Sequence, residues 1–194
     1  MLNIRTLPLG DYQTNCYIVW AEGEKWCVVI DPGDCPEQVL QATEEAGVKI
    51  DSVLLTHGHF DHVGAVKELA SETGCQVYIH PDDLSMPPMM TAGPLYYTKT
   101  YAEGTQLKLA GLDIAVLHTP GHTPGSVCLL IGDTMITGDT LFAGSCGRTD
   151  LPGGDWATIR ASLNRLAAIE ANLWVLPGHG GTSQLREEIG RAHV

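Results

Sequence analysis

The chain has 194 residues, 44% of them hydrophobic and 18% charged, which is enough to bury a core as one domain over residues 1–194. Its formal net charge of -12 repels a phosphate backbone, and this argues against a nucleic-acid partner. No run comes near a membrane span of about 18 apolar residues. Residues 1–8 lack the apolar segment of a signal peptide, so a cytoplasmic protein without membrane contact is expected.

The first half of the chain alternates short β-branched segments with helical ones. Strands are predicted near 2–7, 15–20, 26–30, 52–56 and 76–79. Helices are predicted over 37–46 and 63–73, because each segment ends at a glycine and the second repeats apolar residues at helical spacing. The Pro-rich segment 81–104 is interpreted as a long loop, which either lines an active site or is a surface excursion.

The second half of the chain echoes the first. Strands are predicted near 105–109, 112–118, 126–131, 134–137 and 173–176. Helices are predicted near 155–170 and from about Ser183 onward. Two halves of this kind can pack sheet on sheet with their helices outside. The predicted fold is therefore of the α/β class, a four-layer αββα sandwich of two pseudo-repeated halves.

The strongest chemical signal is the motif T-H-G-H-F-D-H at residues 56–62, which directly follows an apolar run. It places three imidazoles and one carboxylate within six positions: His57, His59, Asp61 and His62. A strand end followed by a tight glycine turn can direct all four side chains at one point, and these are ligands that zinc and related metals prefer. The motif therefore predicts a metal site, with enough ligands for two metals.

Three further candidate ligands follow apolar strands, and a glycine precedes each one. They are His122 in P-G-H-T-P-G, Asp139 in T-G-D-T and His179 in P-G-H-G. Glycine permits close backbone approach and positive φ, so a polar side chain can turn inward at the strand end. Taken alone, each would be a surface histidine or a turn aspartate, but the first cluster needs distal ligands to complete its coordination. The remaining histidines have simpler roles in a loop, at a strand end and at the C-terminus: His80, His118 and His193.

Seven ligands suit two metals. The predicted sets are His57, His59 and His122 for one ion, Asp61, His62 and His179 for the other, with Asp139 bridging. Two divalent cations and two carboxylates leave a net positive charge, which lowers the pKa of a bridging water to near neutrality. Asp61 and Asp139 are therefore assigned as catalytic residues as well as ligands, with a metal-bridging hydroxide as the nucleophile.

The cysteines provide no alternative nucleophile. All six stand singly, without a C-x-x-C pair, and are interpreted as reduced, mostly buried thiols. Cys146 lies close to Asp139 in the sequence, but nothing beside it would lower its pKa, so it is assigned a structural role.

The motifs T-H-x-H-x-D-H, P-G-H-T-P-G, G-D-T-L-F and P-G-H-G, in this order, resemble the metallo-β-lactamase superfamily over nearly the whole chain. The segment 138–150, G-D-T-L-F-A-G-S-C-G-R-T-D, resembles the glyoxalase II-like (hydroxyacylglutathione hydrolase-like) enzymes, in particular the short bacterial single-domain type. The resemblance implies an αββα fold and two divalent metal ions, zinc foremost, with iron or manganese as alternatives. It also implies hydrolysis of a thioester such as S-D-lactoylglutathione, and it carries the family's metal ligands onto the same seven residues.

The resemblance implies two further roles and shows two departures. Asp31 in I-D-P-G matches an aspartate that would orient the ligands from behind, although D-P-G alone can be a plain turn. Arg148 matches the family's basic residue after the G-C-G turn and is a substrate-binding candidate, but Asp150 stands where a tyrosine is expected. The full-length glutathione thioesterases also carry a C-terminal helical domain, whereas this chain ends about 15 residues after His179. The expected partner is a small-molecule thioester, and oligomeric state is left open.

The predicted mechanism is attack of the bridging hydroxide on the thioester carbonyl, with departure of the thiolate. The alternative is a mononuclear iron persulfide dioxygenase of the same superfamily, which shares G-R-T-D at 147–150. Its iron would be held by His57, His122 and Asp139. A β-lactam hydrolase is disfavoured because those enzymes do not normally place a bridging aspartate at this position. A purely structural metal site is disfavoured because such sites are closed and cysteine-rich.

Overall fold

Two six-stranded β-sheets, each built from one half of the chain, pack together in the computed structural model, which describes residues 1–188. The first sheet contains β1 (Leu2–Leu9), β2 (Thr14–Ala21), β3 (Trp26–Ile30), β4 (Lys49–Leu54), β5 (Gln76–Ile79) and β6 (Lys99–Thr100), in that order. The second half begins with β7 (Gln106–Leu109), β8 (Leu112–His118), β9 (Val127–Ile131) and β10 (Thr134–Gly138). It continues with a two-stranded ribbon, β11 (Leu141–Phe142) and β12 (Ser145–Cys146), and then with β13 (Trp174–Pro177) and β14 (Ser183–Gln184). The order across the second sheet is β14-β13-β10-β9-β8-β7.

Six α-helices and one 3₁₀ helix accompany the sheets within the described residues. They are α1 (Pro36–Ala46), α2 (Phe60–Val63), α3 (Val66–Thr73), the 3₁₀ helix (Pro81–Ser85), α4 (Pro88–Thr91), α5 (Trp156–Ala167) and α6 (Leu185–Glu188). Helix α1 begins at a proline and ends at Gly47, which adopts a left-handed φ of 68°. Helix α5 begins after Asp155, whose side chain accepts a hydrogen bond from the Thr158 backbone N–H at 2.7 Å.

The side chains of each sheet alternate between two apolar layers. In β2, Cys16 and Ile18 pack toward α1 and α3, whereas Tyr17 and Val19 pack against the second sheet. The far face of the second sheet packs against α5 in a third apolar layer that includes Met135. Helix, sheet, sheet and helix therefore form four layers, which confirms the predicted αββα sandwich.

Strand direction determines where the functional loops emerge. β3 and β4 are parallel, so the loops that follow them leave the same edge of the first sheet. β8 and β10 are both antiparallel to β9, and β10 is parallel to β13, so these three strands also end at one edge of the second sheet. All seven predicted ligands lie in segments that follow four of these strands, β4, β8, β10 and β13, and Asp31 follows the fifth, β3. Clefts in α/β sheets form in this way, at the carboxyl ends of parallel strands.

Three predicted elements are corrected by the structure. The predicted helix 63–73 is two helices, α2 and α3, separated where Gly64 approaches the Gly33 carbonyl so closely that a Cβ would lie 2.2 Å from the oxygen. β4 begins at Lys49, earlier than the predicted strand 52–56. Ile50 and Ser52 are buried and alternate with the more exposed Lys49 and Asp51, which is the pattern of a strand. The predicted C-terminal helix begins at Leu185, and its part beyond residue 188 lies outside the described residues, as does His193.

Segment 81–104 is not one continuous loop, since it contains the 3₁₀ helix, α4 and β6. The six cysteines are free thiols, four of them buried, as predicted. Within residues 1–188 no helix is long and apolar enough to cross a membrane.

Candidate metal centre

The structure brings all seven predicted ligands together at the carboxyl ends of the strands. His57 and His59 lie after β4, and Asp61 and His62 follow in α2. The second sheet contributes one ligand after each of three strands: His122 after β8, Asp139 after β10 and His179 after β13. Each sheet thus supplies an incomplete set, and the set is complete only where the two sheets meet.

Three buried imidazoles converge in the first cluster. His59 Nδ1 lies 3.1 Å from His57 Nε2 and 2.9 Å from His122 Nε2, and each ring is less than 5% exposed. Zinc–nitrogen bonds of about 2.0–2.1 Å in a tetrahedral site place ligand nitrogens roughly 3.3 Å apart. The spacing of these nitrogens is therefore close to that of a metal-bound set.

The second cluster combines one carboxylate with two imidazoles. Asp61 Oδ2 lies 3.2 Å from His179 Nε2 and 3.7 Å from His62 Nε2. The same oxygen accepts a hydrogen bond from Thr14 Oγ1 at 3.2 Å, which fixes the carboxylate from the side of β2. These three donors form a second group that can hold a metal ion.

Asp139 lies between the two clusters. Its Oδ1 is 3.4 Å from His62 Nε2, and its Oδ2 is 3.5 Å from His122 Nε2 and 3.6 Å from His179 Nε2. One carboxylate therefore approaches histidines of both groups at once, which is the arrangement that a bridging ligand requires.

The acceptors behind the histidines determine which ring nitrogen faces the centre. His122 Nδ1 donates to the backbone oxygen of Arg148 at 2.8 Å, and His179 Nδ1 donates to the backbone oxygen of Tyr12 at 3.2 Å. A carbonyl oxygen can only accept, so in the neutral ring the Nε2 lone pair remains free and points into the centre. This is the tautomer that a metal ligand needs.

Asp31 fixes two more histidines from behind. It is 1% exposed, and its Oδ2 accepts from His62 Nδ1 at 2.9 Å and from Thr56 Oγ1 at 2.6 Å. Because Thr56 Oγ1 uses its hydrogen on Asp31, it acts as the acceptor for His57 Nδ1 at 3.1 Å. Asp31 has a left-handed φ of 51°, which aspartate tolerates better than most residues. The structure thus places Asp31 where the sequence predicts an orienting residue.

Burial and charge divide the histidines of the metal-free protein into two groups. Burial lowers the pKa of His59 to about 4 and also lowers the pKa of His57 and His122. A hydrogen bond to Asp61 raises the pKa of His179. Burial would lower the pKa of His62, but the carboxylates around it outweigh this effect and raise it. The histidines of the first cluster therefore lose their protons at lower pH than His62 and His179 do.

Four buried side-chain atoms among the described residues have no hydrogen-bond partner: His59 Nε2, His62 Nε2, Asp139 Oδ1 and Ser183 Oγ. Leaving such an atom unpaired costs about 1–3 kcal/mol, and two of the four, His62 Nε2 and Asp139 Oδ1, lie 3.4 Å apart within the ligand set, where they call for an occupant. His62 Nε2 and Asp139 Oδ1 face one another inside the donor set without forming a hydrogen bond. The residues present therefore fit a bound divalent metal, whose usual ligands are imidazole nitrogen and carboxylate oxygen.

The glycines of the motifs make room for the ligands. A Cβ on Gly178 would lie 2.2 Å from Asp139 Oδ1 and 2.7 Å from His62 Cε1. Gly138 has a left-handed φ of 48°, and a Cβ there would lie 2.3 Å from Thr56 Oγ1. The glycines before Asp139 and His179 are therefore required by close approach, as the sequence pattern suggests.

Two residues that the sequence interpretation missed hold the loop of His179. Asn15 Nδ2 donates to the backbone oxygens of Pro177 at 3.0 Å and Gly180 at 2.9 Å. Tyr17 donates its hydroxyl to the Pro177 oxygen at 2.7 Å. The available signal was an asparagine inside a strand, which is an unfavourable residue there unless its side chain has a partner.

Arg148 and Asp150 lie at the surface beside the centre. The Arg148 side chain makes a two-pronged contact with Asp150, with Nε and Nη2 each 2.7 Å from a carboxylate oxygen. Its backbone oxygen orients His122. The structure therefore places Arg148 near the centre through its backbone, with its guanidinium paired within the chain.

A third group, His80, Asp82 and His118, lies apart from the centre. The two rings are stacked, with centroids 4.1 Å apart and planes 12° from parallel. Ring-nitrogen lone pairs lie in the ring plane, so nearly parallel stacked rings cannot direct both lone pairs at one ion. The geometry agrees with the sequence interpretation, which leaves these histidines outside the ligand set.

The fold and the His/Asp clusters together define a metal-binding α/β protein of the sandwich type. A model of the metallo-β-lactamase superfamily matches residues 9–179, and the chain belongs to this superfamily. The chain is 33% identical over 202 residues to the hydroxyacylglutathione hydrolase GloC of Haemophilus influenzae, covering 96% of this chain and 95% of that protein. Membership supports a metal-dependent hydrolase, and the clusters support binding of divalent metal.

Three solved structures are similar to this chain over nearly its whole length. The B3 metallo-β-lactamase BLEG-1 is 30% identical with a TM-score of 0.89, covering 98% of each chain. TTHA1623 in a di-iron-bound form is 38% identical with a TM-score of 0.85, covering 97% of this chain and 98% of that one. ETHE1 from Myxococcus xanthus is 28% identical with a TM-score of 0.83, covering 98% of this chain and 83% of that one.

Proposed function

We propose that the protein is a binuclear metal-dependent thioester hydrolase, with two divalent ions, zinc foremost, held by the seven ligands. The observation that carries this proposal is the position of Asp139, which approaches histidines of both clusters within 3.4–3.6 Å. The di-iron form of TTHA1623 supports a centre of two ions in this fold. The six free thiols suit a reducing compartment, and we propose a cytoplasmic location.

Two bound divalent ions would supply a water of lowered pKa as the nucleophile and a Lewis acid for the carbonyl. Asp61 would hold the ion of the second cluster, and Asp139, which lies between the clusters, would contribute to both. Burial would raise the pKa of Asp61, but the hydrogen bond from His179 and the nearby His62 outweigh it and hold the pKa below its ordinary value. Asp61 therefore remains a carboxylate that can ligate a metal ion, and it is not a proton donor.

We propose a small-molecule thioester such as S-D-lactoylglutathione as the substrate. The relative from Haemophilus influenzae, named a hydroxyacylglutathione hydrolase, supports this class. Aromatic rings lie beside the ligands. The ring centroids of Tyr12 and Phe60 are 5.1 Å apart in an edge-on arrangement, and those of Phe142 and His179 are 6.3 Å apart. The Arg148 guanidinium is paired with Asp150. It could bind the anionic glutathione part of a substrate only if this ion pair opened, so recognition of glutathione depends on that opening.

The test is hydrolysis of S-D-lactoylglutathione by purified protein, with metal content measured on the same sample. Asp139→Ala should lose most activity and bind fewer ions, whereas Asp133→Ala, an exposed turn carboxylate, should behave as the wild type. His57→Ala should be inactive. A near-normal rate of hydrolysis by Asp139→Ala would refute the proposal that two metals bridged by Asp139 are needed. If the metal-loaded protein does not hydrolyse S-D-lactoylglutathione, the proposal that this thioester is a substrate is refuted.

The alternative function is a mononuclear iron persulfide dioxygenase, and its support is the G-R-T-D segment at residues 147–150 that resembles those enzymes. Its iron would be held by His57, His122 and Asp139, and His122 Nε2 lies 3.5 Å from Asp139 Oδ2. One iron per chain and oxygen uptake with glutathione persulfide would support this reading. Two ions per chain without oxygen uptake would exclude it.

A further inference from the structure

One buried carboxylate outside the ligand set lies directly beneath the centre. Asp83 is carried by the 3₁₀ helix of segment 81–104 and is 0% exposed. A charged group this deep is costly unless it is fully hydrogen bonded, so its partners indicate what holds it there.

The partners of Asp83 are the two loops that carry the three-histidine cluster. Its Oδ2 accepts from the Gly58 backbone N–H at 2.8 Å and from Thr123 Oγ1 at 3.0 Å. Its Oδ1 accepts from the Gly125 backbone N–H at 2.6 Å. Gly58 stands between His57 and His59, and Thr123 directly follows His122. A single side chain therefore joins a ligand loop of the first sheet to a ligand loop of the second.

The glycines at these contacts leave space for the carboxylate. A Cβ on Gly125 would lie 2.7 Å from Asp83 Cγ and 2.9 Å from Asp83 N. A Cβ on Gly58 would lie 3.0 Å from Leu95 Cδ1 and 3.4 Å from Asp83 Cβ. The middle glycine of H-G-H and the last glycine of P-G-H-T-P-G thus both border Asp83.

We propose that Asp83 is a positioning residue of the metal centre, which holds His59 and His122 at metal-binding distance and thereby sets the affinity of the three-histidine cluster. The proposal rests on the metal centre of the proposed function and extends it to a residue outside the ligand motifs. All three hydrogen-bond donors to Asp83 lie in the loops that carry the three-histidine cluster. Its effect is therefore selective for one of the two ions.

The test compares Asp83→Asn with Asp82→Asn, its neighbour on the same 3₁₀ helix, whose side chain is 55% exposed. Zinc affinity and stoichiometry are measured by competition with a chromophoric chelator, and ligand geometry by the visible spectrum of the Co²⁺-loaded protein. Loss of groups that orient metal ligands typically weakens binding about 10–100-fold. Asp83→Asn should show a loss of this size for one ion and an altered Co²⁺ spectrum, with the second ion and Asp82→Asn unchanged.

A second variant covers the case in which Asp83→Asn folds poorly. Thr123→Val removes one of the three donors to Asp83 and should weaken the same ion by a few-fold. Wild-type affinity and an unchanged Co²⁺ spectrum in both variants would overturn the proposal. Because these readouts require no substrate, they remain informative if thioester hydrolysis fails, whereas a wild-type protein that binds no metal would refute the metal centre itself.

Discussion

Replacing Asp31 by asparagine tests whether the groups behind the histidines determine metal binding. The carboxylate accepts three hydrogen bonds, from the Thr56 N–H at 2.7 Å, from Thr56 Oγ1 at 2.6 Å and from His62 Nδ1 at 2.9 Å. Asparagine has one acceptor oxygen. Placed where Oδ2 lies, that oxygen retains Thr56 Oγ1 and His62, but the amide NH₂ then faces the Thr56 N–H. In the opposite orientation the amide NH₂ faces Thr56 Oγ1 and His62 Nδ1, so two hydrogen bonds are lost instead of one.

The magnitude follows from this count. At least one buried donor, the Thr56 N–H, is left unsatisfied, which costs about 1–3 kcal/mol of the free energy of unfolding. Loss of the negative charge behind His62 makes its Nε2 a weaker ligand, and such changes reduce metal affinity about 10–100-fold, or about 1.4–2.8 kcal/mol. The two effects appear in different experiments, since the first is present without metal.

The assay combines urea unfolding of the metal-free protein with metal affinity by chelator competition. The control is Asp34→Asn, which changes an exposed carboxylate in the turn after β3. Asp31→Asn should lose stability and bind metal more weakly, while Asp34→Asn should match the wild type in both measurements. If Asp31→Asn binds both ions with unchanged affinity, the orientation of His57 and His62 by Asp31 is not what determines binding.

Further changes probe the space around the ligands, the nucleophile, the protons and the metal itself. Gly178→Ala should reduce activity by about 100-fold, because a methyl group there displaces Asp139; Gly181→Ala has nothing within 4 Å of its Cβ and should be neutral in the same rate assay. Burial raises the pKa of the Cys146 thiol, so Cys146→Ala should keep a rate within about twofold of wild type; inactivation would point to a covalent route. The hydrogen bond to Asp61 raises the pKa of His179, and a protonated imidazole cannot bind a metal, so ion uptake by its cluster should release more protons than uptake by the three-histidine cluster, where burial lowers the pKa values. Metal affinity of the Asp61 cluster should therefore rise more steeply with pH, and equal proton release at both clusters, measured by calorimetry in two buffers, would contradict this. Removing the metals with a chelator should lower the melting temperature and leave the circular dichroism of a folded sandwich, whereas the spectrum of an unfolded chain would show that the metals are structural.

The ligands could be found in the sequence because each is signalled locally. Four stand in one heptapeptide, and the other three follow a glycine at the end of an apolar strand, a pattern that strand geometry alone explains. Asp83 and Asn15 could not be found in the same way. Asp83 contacts residues 25 and 42 positions away, and Asn15 contacts one 162 positions away. Such pairings are set by how the two sheets pack, and no local pattern carries that information.

The centre depends on the packing of the two halves, because neither sheet holds a complete set of ligands. Asn15 ties the first sheet to the loop of His179, and Asp83 ties it to the loop of His122. Between these ties lies an apolar core that both sheets share, with residues such as Ile30 and Ile114 fully buried. These contacts hold the ligand loops in place through hydrogen bonds and apolar packing of the protein itself. Because histidine and aspartate ligands accept several divalent metals, we expect the ion that occupies the centre to follow metal availability as well as ligand type.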